Sequence, residues 1–203
     1  MNDTDRQADR MKQLVRGNFD EMKRMLEAFA SEEENVEKIC AAAAMMTASI
    51  RQGGKIIACG NGGSMCDASH FCEELLARFR TDRTALPAIA VSDPAYLTCV
   101  GNDFGFDRVF SRFVEAMGRP GDILLGISTS GNSTDVVLAA QAARERGMKV
   151  VALTGRADGK LSACSDLLLS TPPSRWSDRV QEIHEKVIHT LVQLIETELG
   201  LDA

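Results

Sequence analysis

Apolar side chains at Met11, Val15, Phe19, Met22, Leu26 and Phe29 recur every three or four positions, which lays them along one face of a helix. Ser31-Glu-Glu-Glu34 then reads as a cap with acidic first-turn residues for a second helix running to about Arg51, which Gly53-Gly54 stops. The first stripe could pack on the chain's own core or on another subunit. It is long and narrow and precedes the first strand, which favours a subunit interface. From residue 55 the pattern changes to short continuous apolar runs separated by helical patterns. The runs are Lys55–Cys59, Pro87–Val91, Asp122–Ile127, Lys149–Thr154 and Asp166–Ser170. Such runs indicate strands buried on both faces of a parallel sheet.

Right-handed crossovers then give an α/β fold, a three-layer doubly wound sandwich with a parallel five-stranded sheet. Residues 1–203 read as one domain, with N-terminal helices over 1–52 as an oligomer interface and an α/β core over 53–203. In such sheets ligands bind beyond the carboxyl ends of the strands. Those ends are the segments 60–64, 92–103, 128–133, 154–159 and 171–178.

The 203 residues carry 23 basic and 29 acidic side chains, a net charge of −6, so binding to nucleic acid is not expected. Six cysteines form no C-x-x-C pair, and several lie in apolar runs, which suits reduced thiols in the cytoplasm. The N-terminus shows no apolar signal segment, and the longest apolar stretch, Cys40–Met46, is too short to span a membrane. A soluble cytoplasmic protein with a small-molecule ligand is expected.

Gly60-Asn61-Gly62-Gly63-Ser64 follows the first strand directly, and a glycine-rich turn there presents backbone N–H groups to an anion. His70 and Glu74 share a face of the helix that follows. Ser128-Thr129-Ser130-Gly131-Asn132-Ser133 follows the third strand and enters another helix. A cap needs one hydroxyl; four hydroxyls suit a phosphate held by neutral donors and the helix dipole. With no cation in that motif, the phosphate is a handle and not the reacting group. Gly63-Ser64-Met65 lacks the lysine of a nucleotide P-loop, and Met65 breaks the dinucleotide fingerprint begun by Gly60 and Gly62, so no nucleotide cofactor is expected.

The last helix, about Ser177 to Leu199, carries an apolar stripe from Val180 to Ile195. Gln181, Glu185 and His189 form a second, polar line at intervals of four. A lone helical histidine is more often structural or solvated than catalytic. If His189 meets His70 and Glu74, then His70, Glu74, Gln181 and His189 make a plausible N/O ligand set for Zn²⁺ or a similar ion.

These residues, in this order, resemble the phosphoheptose isomerases of the sugar-isomerase (SIS) superfamily over most of the chain. The most specific pieces are Cys-Gly-Asn-Gly-Gly-Ser (59–64), His-Phe-Cys-Glu-Glu-Leu (70–75), Cys-Val-Gly-Asn-Asp-Phe-Gly-Phe (99–106), Gly-Ile-Ser-Thr-Ser-Gly-Asn-Ser (126–133) and Asp-Arg-Val-Gln-Glu-Ile-His (178–184). The resemblance implies interconversion of sedoheptulose 7-phosphate and D-glycero-D-manno-heptose 7-phosphate, on the way to the heptose of lipopolysaccharide or related glycans. It implies substrate contacts from Asn61, Gly62, Gly63, Ser64, Asn102, Asp103, Ser128, Thr129, Ser130 and Ser133. Glu74 and His189 would be the acid–base pair, Gln181 would stand at the reacting end, and Asp178 near the imidazole. Zinc would be held by His70, Glu74, Gln181 and His189, in a homotetramer with sites shared between subunits. Met65, where relatives carry histidine, and the Pro-Ser-Arg-Trp wording within 172–177 depart from the family pattern. The competing class is a non-catalytic SIS sugar-phosphate-binding regulator or adaptor; the presence of both Glu74 and His189 favours the enzyme.

Overall fold

The computed structural model describes residues 3–201. Two long helices, α1 (Asp3–Ala30) and α2 (Glu33–Arg51), precede an alternating series. It runs β1 (Ile56–Gly60), α3 (Gly63–Leu76), β2 (Ala88–Ala90), α4 (Pro94–Phe104), α5 (Ser111–Met117), β3 (Ile123–Ser128), α6 (Thr134–Glu145), β4 (Lys149–Thr154), β5 (Leu167–Ser170) and α7 (Ser177–Leu199). The five strands pair in parallel in the order β2-β1-β3-β4-β5. The expected doubly wound three-layer architecture is therefore the observed one, each run lying within a residue or two of its strand.

Alternation along the strands separates two apolar layers. Ile56, Ala58, Ile123, Leu125, Val151 and Leu153 face α2, α3, α7 and the end of α1. Ile57, Cys59, Leu124, Val150 and Ala152 face α4, α5 and α6. The order reverses between β1 and β3, so the loops leaving these two strands splay apart and open a crevice, where doubly wound sheets bind ligands. That crevice lies between the two segments singled out in the sequence, 60–64 and 128–133.

Two local expectations are corrected or sharpened. Ser31 does not cap α2: its hydroxyl donates to the Ala28 carbonyl at the end of α1, and the residue flanking α2, Glu32, makes no side-chain cap. Gly53, at φ +80°, does end α2. Only the C-terminal part of α1 enters the core, through Met25 and Phe29. Met11, Val15 and Phe19 are exposed by 53, 56 and 74%, so most of the stripe has no cover within one chain.

His184 on α7 is buried against the sheet, and neither ring nitrogen has a hydrogen-bond partner. Burial drives its pKa down to about 4, with the nearby Thr154 carbonyl opposing the shift. An unfolded histidine titrates near 6.5, so only the unfolded chain gains this proton as pH falls through 6.5 toward 4. Stability from this group is complete above that window and drains away on acidification. Between pH 7.5 and 5 the parent protein should lose about 2 kcal/mol relative to His184→Phe, measured by denaturant melts at both pH values. Equal pH slopes for the two proteins would refute the buried neutral state.

Candidate active site

The turn after β1 depends on glycine at two close approaches. A methyl group at Gly60 would meet Ser64 Cβ at 2.8 Å, and one at Gly63 would stand 2.3 Å from Gln181 Nε2. Gln181 of α7 thus packs directly on the α3 N-terminus. Gly62 precedes that helix at φ +54°, a conformation that disfavours side chains. Asn61 is steered by its Nδ2 donating to Asp135 Oδ1 at 3.0 Å. Asp135 is buried at the start of α6 with Oδ2 unpartnered, and burial raises its pKa.

Across the crevice, Ser128 Oγ donates to Ser133 Oγ at 3.0 Å and lies 3.5 Å from Ser130 Oγ. Ser133 stands in the capping position of α6 but makes no cap bond. The three hydroxyls are gathered at the N-terminus of a twelve-residue helix without being used by it, which fits an anion better than a cap. Thr129 and Ser130 open onto a cavity of about 210 Å³ whose far wall includes Arg156, Arg175 and Trp176. The 172–177 loop therefore borders the hydroxyl cluster, with Arg175 stacked 4.6 Å over the Trp176 ring. Met65 turns the other way, into the apolar layer beneath α4 and α5.

The reactive groups meet where α3 crosses α7. His70 Nε2 lies 2.9 Å from His189 Nε2, 3.2 Å from Glu185 Oε1 and 3.5 Å from Glu74 Oε1. Glu185 Oε1 lies 3.3 Å from His189 Nε2. On its other side His70 presents Nδ1 to Glu73 Oε1 at 3.2 Å, while Phe79 stacks on the His189 ring at 5.6 Å. Glu74 is half-buried, its side chain 16% exposed. Asp67, one turn before His70, is buried with Oδ2 unpartnered. Its pKa is raised to about 7 by burial and by the charge of Glu185, against an opposing pull from His70.

This donor set is compatible with a divalent metal. Two donors on tetrahedral zinc sit about 3.3 Å apart, close to the separations between the imidazole and carboxylate atoms here. Both nitrogens of His70 face carboxylates, and a neutral imidazole has only one N–H to offer. A cation at Nε2 would satisfy the other side. Among the described residues, no lysine or arginine pairs with Asp67, Glu73, Glu74 or Glu185.

Of the residues proposed from sequence, His70, Glu74 and His189 come together, while the Gln181 amide lies against Gly63. Glu185 completes the cluster although it stood outside the sequence-derived ligand set; its i, i+4 spacing to His189 was the available signal. Asn102 and Asp103 are exposed at the end of α4, bonded to each other at 2.7 Å and not to the cluster. Within one chain Asp178 does not approach the imidazole. It lies eleven residues from His189 on one helix, about 16 Å along the axis, and contacts Arg179 instead.

Residues 18–155 match the family described as the SIS domain. Over 186 residues the chain is 54% identical to a phosphoheptose isomerase from Enterobacter sp. (strain 638), spanning 92% of this chain and 97% of that protein. A solved phosphoheptose isomerase from Neisseria gonorrhoeae superposes with a TM-score of 0.85 at 43% identity, covering 92% of this chain and 99% of that one. A second, from Francisella tularensis, gives 0.82 at 35% identity, with 94 and 98% covered.

Proposed function

The chain belongs to the SIS-domain family, among the phosphoheptose isomerases, and from that premise we propose that it interconverts sedoheptulose 7-phosphate and D-glycero-D-manno-heptose 7-phosphate for heptose biosynthesis. The observation that carries the chemistry is the convergence of Glu74, His70 and His189 beside a crevice whose other wall is a cluster of hydroxyls that do not cap α6.

An aldose–ketose isomerase moves one proton between C1 and C2 through a cis-enediol and a second between the two oxygens. The hydroxyls of Ser128, Ser130 and Ser133 with the α6 N-terminus would hold the phosphate, and that remote binding fixes the open-chain sugar. Asn61 to Ser64, with Gln181 over Gly63, would line the reacting end. Glu74 takes the carbon proton from C1 and returns it at C2. His189 faces the oxygens, holding either a proton or an ion through Nε2. Zinc held by the cluster would polarise the carbonyl.

The exposed stripe of α1 supports assembly from copies of the chain, and we read the assembly as a homotetramer. Shared sites would bring Asn102 and Asp103, idle within one chain, to a neighbouring subunit's substrate. No described helix is long and apolar enough to cross a membrane. We place the protein in the cytoplasm on the family resemblance.

The reading is tested by incubating the protein with sedoheptulose 7-phosphate in D₂O and following the sugar by NMR. Aldose heptose 7-phosphate with deuterium at C2 is the expected product. A folded, metal-loaded protein that leaves the ketose untouched would point to a sugar-phosphate-binding regulator instead.

A further inference from the structure

We infer that Arg175, laid on the Trp176 ring, is the cation that reads the phosphate charge of the substrate. The inference rests on the sugar-phosphate isomerase reading, and it gives a use to the 172–177 loop, where this chain departs from the family pattern.

The hydroxyl loop brings no full charge of its own. Ser128, Ser130 and Ser133 are neutral donors, and a helix N-terminus counts for about half an elementary charge against about two on a sugar phosphate. The cavity bordering Thr129 and Ser130 offers two cations, Arg156 and Arg175. Arg156 is already committed, its Nε and Nη2 each 3.1 Å from a carboxylate oxygen of Asp158. Among the described residues, Arg175 makes no ion pair and no hydrogen bond. What holds it is the Trp176 ring, 4.6 Å from the guanidinium carbon.

That contact suits the role. Stacking uses the face of a guanidinium and leaves its in-plane N–H groups free to donate, and a phosphate takes them in parallel pairs. The ring orders the fork, and the anion is the partner it lacks. The surrounding walls are firm and point the same polarity inward. Gly155 N donates to the Thr129 carbonyl at 3.0 Å, which ties the segment after β4 to the hydroxyl loop. Ser177 opens α7 on the same cavity, and Trp176, in the capping position of that helix, makes no cap bond. The first N–H groups of α7 therefore add a second positive pole beside that of α6.

The test reads phosphate binding without turnover. Inorganic phosphate is titrated into the whole protein and followed by ³¹P NMR, for the parent, Arg175→Ala, Arg175→Lys, Trp176→Ala, Arg156→Ala and Arg144→Ala. Arg144 lies in the last turn of α6, about 15 Å along the helix from the hydroxyl loop, so its loss removes the same charge at a distance. Arg175→Ala should weaken phosphate by about 10–100-fold, as loss of a charge-assisted hydrogen-bonded pair does. Arg175→Lys keeps the charge without the fork and should recover part of the affinity. Trp176→Ala should lose about 2–5-fold, and Arg144→Ala should stay within about twofold. With sedoheptulose 7-phosphate, Arg175→Ala should raise KM by its phosphate factor and keep kcat within about threefold, since the lost contact touches a group that does not react. Circular dichroism checks that each variant is folded. Parent-like phosphate binding by Arg175→Ala, an equal loss in Arg144→Ala, or a larger loss in Arg156→Ala overturns the inference. A parent protein that binds no phosphate overturns it too, yet leaves the isomerase reading standing if the D₂O assay shows turnover. Arg175-dependent phosphate binding in a protein that turns nothing over upholds the inference and removes the isomerase.

Discussion

Replacing Glu74 with glutamine should lower kcat by about 10²–10⁴-fold while KM stays close to that of the parent protein. The substitution keeps the shape of the side chain and removes its basic lone pairs. The group is well held: its side chain is 16% exposed, and its own carbonyl accepts from Arg83 Nη2 at 2.7 Å. A lost rate therefore reports lost chemistry and not a displaced helix. KM should hold because the hydroxyls at the α6 N-terminus bind a part of the substrate that does not react. Steady-state kinetics separate the two parameters, and solvent deuterium entering C2 gives an independent reading of the carbon proton. A variant that kept about a tenth of the parent rate or more would remove Glu74 from the carbon, since a positioned general base is worth at least ten times that.

The site was only partly legible beforehand, for physical reasons visible in particular residues. Strand register was readable because a parallel strand buries both faces: Ile56 and Ile57 face opposite layers, and both must be apolar. The crevice followed from topology, since loops after β1 and β3 diverge wherever a doubly wound sheet reverses its order. The hydroxyl loop was readable from composition, because capping needs one oxygen and four are present. Glu185 was not. Helical spacing put it on one line with Gln181 and His189, but periodicity on α7 says nothing about which member of that line faces α3. The meeting of His70 with Glu185 is a tertiary fact, set by how the two helices cross. Ser31 failed for a smaller reason: the hydroxyl found a carbonyl at the end of α1 before it could serve α2. The α1 stripe was legible as apolar, yet what covers it lies outside a single chain.

The largest stability effect should come from Arg83, which no motif marks. Its side chain and that of Glu196 are each 2% exposed, with Nε donating to Glu196 Oε1 at 2.7 Å. Nη1 donates to the Leu75 carbonyl and Nη2 to the Glu74 carbonyl, both at 2.7 Å. Both carbonyls belong to the last turn of α3, where the helix dipole favours a cation; that of Leu75 also accepts from the Leu86 N–H. One guanidinium thus ties the end of the helix bearing His70 and Glu74 to the helix bearing Glu185 and His189. Arg83→Met should cost about 3–5 kcal/mol, because it leaves the Glu196 charge buried without a partner. At a fixed protein concentration, which matters for an assembling chain, this corresponds to a fall in Tm of about 10 °C. Removing both charges in Arg83→Met/Glu196→Leu should recover only part of the loss. A hydrophobic pair can replace a buried ion pair at little cost, but here the Glu74 carbonyl would still lose its Arg83 donor, at about 1–3 kcal/mol, while the Leu75 carbonyl keeps the Leu86 N–H at 3.0 Å. A double variant as stable as the parent would show that the ion pair alone matters. An unchanged melt for Arg83→Met would show that the guanidinium ties nothing together.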